Sequence, residues 1–277
     1  MKNFLSIGVL LLTFAACAAT TLPEIKPNSS NPIRTVAVLP FINSTNDVDG
    51  PEFVRDWFVQ QLRKFYYEIQ DVDDTNQILK DQMGITLGSQ LDMVDPKKIG
   101  EVLGVDGVFY GLLDDFSERI TGVYNAKRVR IRSKLVDCKT GQTVWKNGIG
   151  IKQGSRSTGS SFGEQVPILN DIFAVGGIVS SLGSNISDEG DKDLPKFLGE
   201  DVSAPWIDLP TGGRTVEANV VLGVAERVYD KALNSPLKVQ AVTAISVLLK
   251  GYYYKREPWG ESSYTPYGTM LITGPGK

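Results

Sequence analysis

The stretch KRVRIRSKLVDCKTGQTVWKNGIGI, residues 127–151, decides the fold. Apolar and basic residues alternate from Lys127 to Asp137, and a period of two is typical of a β-strand. One face holds Val129, Ile131 and Leu135, and the other holds Arg128, Arg130, Arg132 and Lys134. Lys139-Thr140-Gly141 predicts a turn, and Gln142 to Ile151 predicts a returning strand. The stretch is therefore a predicted β-hairpin.

The residues before this hairpin predict strands and helices in alternation. Thr35–Phe41 is a near-continuous apolar run that predicts a buried strand, and Val108–Leu113 predicts another. After Pro51, which suits a first helical position, apolar residues recur at helical spacing: Phe53, Val54, Trp57, Phe58, Leu62 and Phe65. The shorter predicted elements are a strand over Tyr67–Val72 and helices over Thr75–Met83 and Asp95–Leu103. Residues 33–152 thus predict one α/β domain, a mixed β-sheet with packed helices.

Residues 153–277 predict a Gly/Ser-rich insertion and then a C-terminal extension that is helical and extended. Val166–Leu182 is apolar but interrupted; it is either a buried helix of the same domain or a segment that contacts the membrane or another subunit. Glu217–Leu233 has the apolar stripe of an amphipathic helix. Leu237–Leu249 is apolar and rich in β-branched residues, so helix and strand both stay open.

The first 17 residues resemble a secretory signal: a positive charge, a short apolar run and a cleavage site follow in that order. Lys2 precedes a short apolar run, and Ala15-Ala16-Cys17 resembles a lipobox, in which the signal is cut before a lipidated cysteine. The alternative is an ordinary cleavable signal with Cys17 present by chance. We predict a signal peptide over 1–16, lipidation at Cys17 and a lipidated N-terminus and tether over 17–32. Ala18 rather than Asp after the cysteine favours the outer membrane, with the domain facing the periplasm.

The composition removes several kinds of chemistry. The chain contains no histidine, so Ser/His/Asp triads and histidine-based metal sites are excluded. We predict no catalytic residue, cofactor or metal, and an enzyme built on carboxylates, Lys or Tyr is the remaining catalytic alternative. The formal net charge of −3 argues against a nucleic-acid partner, which would need a large basic face.

Two further features have a structural and a functional interpretation. Cys138 has no intramolecular partner if Cys17 is lipidated, so we interpret it as a structural thiol, with a disulfide between subunits as the alternative. Two clusters of acidic residues could bind calcium, but neither matches a calcium-binding loop. We favour the interpretation that both clusters lie in solvated loops. These groups are Asp71, Asp73 and Asp74, and Asp188, Glu189, Asp191 and Asp193.

The basic face of the predicted hairpin also has two interpretations. Arg128, Arg130, Arg132 and Lys134 form either a docking patch for a partner or the solvated side of a sheet. In the second case, which is favoured, cross-strand acids balance the charge: Asp114, Asp115 or Glu118.

Three segments in order carry a resemblance to a known superfamily: VAVLPF (36–41), LGVDGVFYG (103–111) and LVDCKTGQTVW (135–145). Their order and spacing, with the lipobox, resemble the superfamily of the curli secretion lipoprotein CsgG, the Pel polysaccharide lipoprotein PelC, the activator LpoB and the N-terminal domain of TolB. More narrowly, the chain resembles outer-membrane lipoproteins of unknown function grouped beside CsgG. The resemblance implies a mixed α/β sheet, self-association and export or assembly work without catalysis. Val166–Leu182 does not alternate as a pore strand would, so no pore is predicted.

The leading functional hypothesis is an oligomeric lipoprotein, anchored in the outer membrane, that acts as a scaffold or accessory in export or assembly of an envelope component. Its expected partners are the membrane, through the N-terminal lipid, further copies of itself and an envelope protein. The alternative is a tethered binding module that regulates a cell-envelope enzyme.

Overall fold

The computed structural model describes residues 31–63, 65, 67–120, 124–156, 186–187, 190–209, 235–250, 252–255 and 264–267. The helices are α1 (Gly50–Leu62), α2 (Val72–Met83), α3 (Pro96–Leu103) and α4 (Pro236–Lys250). The strands are β1 (Thr35–Val38), β2 (Ile42–Asn43), β3 (Glu68–Ile69), β4 (Gly107–Ile120), β5 (Tyr124–Asp137), β6 (Thr143–Arg156), β7 (Ile186–Ser187), β8 (Trp206–Leu209), β9 (Tyr252–Lys255) and β10 (Tyr264–Tyr267). No helix within these ranges is both long enough and apolar enough to cross a membrane.

One mixed sheet contains eight of the described strands, in the order β3-β1-β4-β5-β6-β8-β7, with β2 beside β4. The strands β1, β2 and β3 and the first half of β4 are parallel, as expected where helices connect them. The centre of the sheet is antiparallel and consists of β4, β5 and β6, each of 14 residues. β8 returns to the sheet parallel to β6.

The first face of the sheet is covered by α1 and α4. Its core is aromatic around Phe109, whose ring lies 5.4 Å from Phe58 and 6.1 Å from Trp145 in edge-to-face contacts. Ala241, Ala244, Ile245 and Leu248 of α4 are buried in the same core. Asn147 donates a hydrogen bond of 2.9 Å to the carbonyl of Leu248 and so fastens α4 to β6.

The second face is covered by α2 and α3 over β1 and β4. Local signals fix both helices: Asp71 and Asp95 accept backbone hydrogen bonds at the N-termini, and Gly84 and Gly104 end the helices with positive φ. Cys138 lies in this core beside Gly100 of α3, where a Cβ would be only 2.3 Å from the Cys138 Cβ. The close approach of α3 to the end of β5 therefore requires glycine at position 100.

The predicted fold class, a mixed α/β sheet with packed helices, is confirmed. The hairpin at 127–151 is also confirmed, although both strands are longer than predicted, and the expected domain boundary at 152 falls inside β6. Leu237–Leu249 is helical, and the described parts of 153–277 pack on the same sheet. The predicted segments Val166–Leu182 and Glu217–Leu233 lie outside the described residues.

Candidate functional site: a covered cationic stripe

The basic residues of β5 form a row on the second face of the sheet, which we call the cationic stripe: Arg128, Arg130, Arg132 and Lys134. Alternation along the strand places all four on one side. Arg130, Arg132 and Lys134 are buried, with exposed fractions of 5%, 0% and 5%, and Arg128 is half-buried. Buried charges are costly unless they are paired, so the arrangement depends on their partners.

The first partners are two adjacent acids of β4. Arg132 donates from Nε to Asp114 at 2.7 Å and from Nη2 to the same carboxylate at 2.6 Å, and Arg128 lies 3.1 Å from Asp115. Adjacent residues of a regular strand point to opposite faces. Here the register of β4 against β5 shifts between Leu113 and Asp115, and this bulge lets both acids reach the same row of arginines.

The second set of partners lies on residues 190–205, which cross the stripe before β8 and which we call the strap. Arg130 donates to the carbonyl of Ala204 at 2.6 Å, and Arg132 donates to that of Pro195 at 2.7 Å. Lys134 lies 2.9 Å from the Glu200 carboxylate, and Arg130 lies 3.5 Å from Asp191. The strap thus supplies both carbonyls and charges to the stripe.

Trp206, which directly follows the strap, contacts two arginines of the stripe. The guanidinium carbons of Arg128 and Arg130 lie 4.5 and 4.8 Å from its ring centre, within the range of a cation–π contact. Two glycines of β6 make room for this layer. A Cβ on Gly150 would lie 2.4 Å from Trp206 Cε3, and a Cβ on Gly148 would lie 2.3 Å from the Ser203 carbonyl oxygen.

Glu200 holds the strap against β5 and β6 together. Its carboxylate accepts hydrogen bonds from Lys134, Thr143 and Lys146. Burial alone would raise the pKa of Glu200, but these three donors outweigh it and lower the pKa to about 2. The carboxylate is therefore ionised at neutral and mildly acidic pH.

The structure answers the two interpretations of the stripe in part. Asp114 and Asp115 balance its charge across strands as predicted, whereas Glu118 lies opposite Lys127 and pairs with that residue at 3.5 Å. The favoured interpretation of a solvated face is wrong for Arg130, Arg132 and Lys134, because the strap covers them. The docking-patch alternative stays a prediction. Of the four stripe residues, Arg128 alone is partly exposed in the described part of the chain.

Cys138 and the described acidic candidates Asp71 and Asp191 make contacts that stabilise the fold. Burial, with smaller contributions from Asp137 and Asp106, raises the pKa of the Cys138 thiol to about 12. Asp71 caps α2, and Asp191 accepts hydrogen bonds from Ser203 and the Ala204 amide. No cluster of three metal-ligating side chains occurs in the described part of the chain. Cys17, Asp188 and Glu189 lie outside it.

The strap was missed by the sequence prediction. A possible signal for it was the spacing of Gly148 and Gly150, which removes two side chains from one face of a strand in the middle of a sheet. Such glycines often mark a place where another backbone approaches closely.

Comparisons with known proteins point to one family. The family model described as "Putative lipoprotein GNA1162-like" matches residues 25–192, more than half of the chain. A curated relative, "Putative lipoprotein NMB1124/NMB1162" of Neisseria meningitidis serogroup B, is 23% identical over 192 residues, 69% of this chain and 85% of that protein.

Two solved structures match the chain at low similarity. Lipoprotein GNA1162 from Neisseria meningitidis is 22% identical, with a TM-score of 0.41 over 46% of this chain and 87% of that one. The PelC dodecamer from Paraburkholderia phytofirmans is 17% identical, with a TM-score of 0.31 over 49% of this chain and 81% of that one. Both TM-scores are below 0.5, so the family assignment depends on the match to the family model.

Proposed function

The chain belongs to the GNA1162-like lipoprotein family, and we propose that it is an oligomeric scaffold, anchored in the outer membrane, that assists export or assembly of an envelope component. In this proposal Cys17 carries the lipid, the tether spans residues 18–32 and the sheet domain faces the periplasm. The domain acts by binding rather than by catalysis. Membership of the wider superfamily that includes CsgG and the TolB N-terminal domain is part of the same proposal.

The position of Cys17 is the observation that carries the proposal. The lipobox-like Ala15-Ala16-Cys17 ends an apolar run and lies eight residues before residue 25, where the match to the lipoprotein family begins. Each buried methylene of an acyl chain contributes about 0.8 kcal/mol to membrane attachment, and stable anchoring takes more than one chain. A lipidated cysteine with several chains would hold the domain at the membrane permanently.

The described domain supports a binding role in a second way. One polar network, the cationic stripe with Asp114, Asp115, Asp191 and Glu200, pairs buried charges with one another and holds the strap in place. Histidine, the commonest general base, is missing from the whole chain. The buried charges of the network therefore serve the packing of the strap, and the proposed role is one of binding.

Labelling with radioactive palmitate and membrane fractionation test the anchor. We expect label in the wild-type chain, its loss in Cys17→Ser, and recovery of the wild type with the outer membrane. Cys138→Ser is the matched control and keeps its label. Label that persists in Cys17→Ser, or a wild-type chain that fractionates with the inner membrane, would contradict the proposed anchor or its location.

Crosslinking in intact cells separates the scaffold from the alternative, a tethered module that regulates an envelope enzyme. The scaffold gives a ladder of homo-oligomers together with one envelope partner. The tethered regulator gives a monomer crosslinked to one enzyme, such as a peptidoglycan synthase. A strict monomer without partner adducts would refute both.

A further inference from the structure

β4 is longer than the strands beside it. On the β1 side, β2 pairs with β4 only at Leu112 and Leu113, and the last backbone hydrogen bond on that side runs from Ser44 N to Leu113 O at 3.0 Å. From Asp115 to Ile120, β4 pairs with β5 on its other side and with no other strand that the structure describes. We call these six residues the open edge.

The open edge has a mixed character that suits pairing with another strand. On the β1 side its backbone groups have no strand partner in the described part of the chain, and such groups can accept and donate ladder hydrogen bonds. Beside it lies the N-terminus of α1, where a Cβ on Gly50 would be 3.4 Å from Phe116 Cδ1. Phe116 itself is buried, with an exposed fraction of 8%. The edge is therefore supported from within by an apolar side chain packed beside the start of α1.

The charges of the open edge restrict which strand can pair with it. Its sequence from Asp115 is DFSERI, with an acid at 115 and an arginine at 119, each two positions from Ser117. An antiparallel pairing of two identical edges about Ser117 places Asp115 opposite position 119, an arginine, twice by symmetry. Opposite charges directly across antiparallel strands are favourable, whereas like charges are unfavourable. Positions 115 and 119 are therefore complementary between two copies of the edge, which favours self-recognition.

We infer that the open edge binds the same edge of a second copy of the chain, antiparallel and about a twofold axis at Ser117. The contact is isologous, because each copy offers the same residues to the other. This inference deepens the proposed function: it rests on the self-association proposed there and names the surface. A six-residue contact is small, and membrane anchoring strengthens it by raising the effective concentration of the copies.

Disulfide formation at the proposed axis tests the inference in the full-length, lipidated chain. Directly opposed antiparallel residues have Cα atoms about 4.5–5.5 Å apart, within the range of a disulfide. The chain has two native cysteines; lipidation occupies the Cys17 thiol, and Cys138 is buried. An oxidant added to membranes should therefore link copies of Ser117→Cys. The matched control is Thr140→Cys, in the exposed turn at the opposite end of β5.

We expect Ser117→Cys to give about ten-fold or more linked dimer than Thr140→Cys. Adding Arg119→Glu, which places like charges opposite each other, should reduce the linked dimer of Ser117→Cys. Equal thermal unfolding midpoints establish that the variants are folded. If Ser117→Cys links no better than Thr140→Cys, or Arg119→Glu leaves the yield unchanged, the inference is overturned. If amine crosslinkers still give homo-oligomers in that case, the proposed function stands without this edge; a strict monomer overturns both.

Discussion

Arg132 and Asp114 form a two-bond ion pair that is almost completely shielded from water, with side-chain exposed fractions of 1% and 7%. The pair joins neighbouring strands, and a third bond from Arg132 holds the strap at Pro195. Removal of one partner from a buried pair leaves an uncompensated charge, which costs far more than the net contribution of the pair.

Asp114→Asn should therefore lower the free energy of unfolding by about 3–5 kcal/mol. The measurement is urea unfolding followed by tryptophan fluorescence. Glu118→Gln is the matched control, because Glu118 pairs with Lys127 at 3.5 Å in a more exposed position. Its cost should be about 1 kcal/mol or less. If the two variants lose equal free energies of unfolding, burial does not make the Arg132–Asp114 pair more important to stability than the exposed pair.

The Glu200 carboxylate should make stability depend on acid pH. Its pKa is about 2 in the folded chain, against an ordinary value of 4.5 for a glutamate side chain. Because the folded pKa is the lower one, the stabilisation is fully present above the unfolded pKa and is lost as the pH falls towards 2. We expect the wild type to lose stability between these values more steeply than Glu200→Gln, as measured by urea unfolding at successive pH values. Parallel pH profiles for the two proteins would contradict this assignment.

Gly150→Ala should destabilise the chain through Trp206. The added Cβ would lie 2.4 Å from the Trp206 ring, so the ring and the strap must move. Overpacking of this kind costs about 1–3 kcal/mol. The cost should shrink when Trp206→Leu is already present, and a double-mutant cycle measured by thermal unfolding tests that coupling. If the effects of Gly150→Ala and Trp206→Leu on stability are additive, the Gly150→Ala variant is not destabilised through the Trp206 ring.

Cys138 should resist thiol reagents while the chain is folded. Its thiol is buried and has a pKa of about 12, so almost no thiolate exists at pH 8. In a Cys17→Ser background, we expect a coloured disulfide reagent to detect no fast-reacting thiol in buffer and one in urea. Thr140→Cys provides an exposed thiol for comparison. If Cys138 reacts in buffer as fast as that thiol, the interpretation as a structural thiol is wrong.

The sequence predicted the elements whose signals are local. Pro51, Asp95 and Gly104 mark helix ends, and the structure has α1 and α3 close to those positions. The alternation after Lys127 predicted β5 and its hairpin. The predicted strands were shorter than β4 and β6, because the outer halves of these strands lack a clear alternation of apolar and polar residues.

The covering of the stripe could not be predicted in the same way. Arg130 and Ala204 are 74 positions apart, and no local pattern joins them. An arginine row on a strand is ordinarily solvated, and only a distant segment with carbonyls and acids at matching places changes that outcome. The ambiguity at Leu237–Leu249 has a similar cause, since its β-branched residues fit either element until the sheet and α1 surround it.

The strap also determines when the domain can finish folding. The hydrogen bond of Arg132 to the Pro195 carbonyl joins residues 63 positions apart, and that of Arg130 joins it to Ala204. Neither bond can form until the strap is available. Contacts between residues so far apart in the chain form slowly, because a long loop must close first. In the proposed export from the N-terminus, β5 would emerge from the membrane well before the strap. We therefore expect the second face of the sheet to stay uncovered until the strap has emerged, so that its packing is a late step of folding.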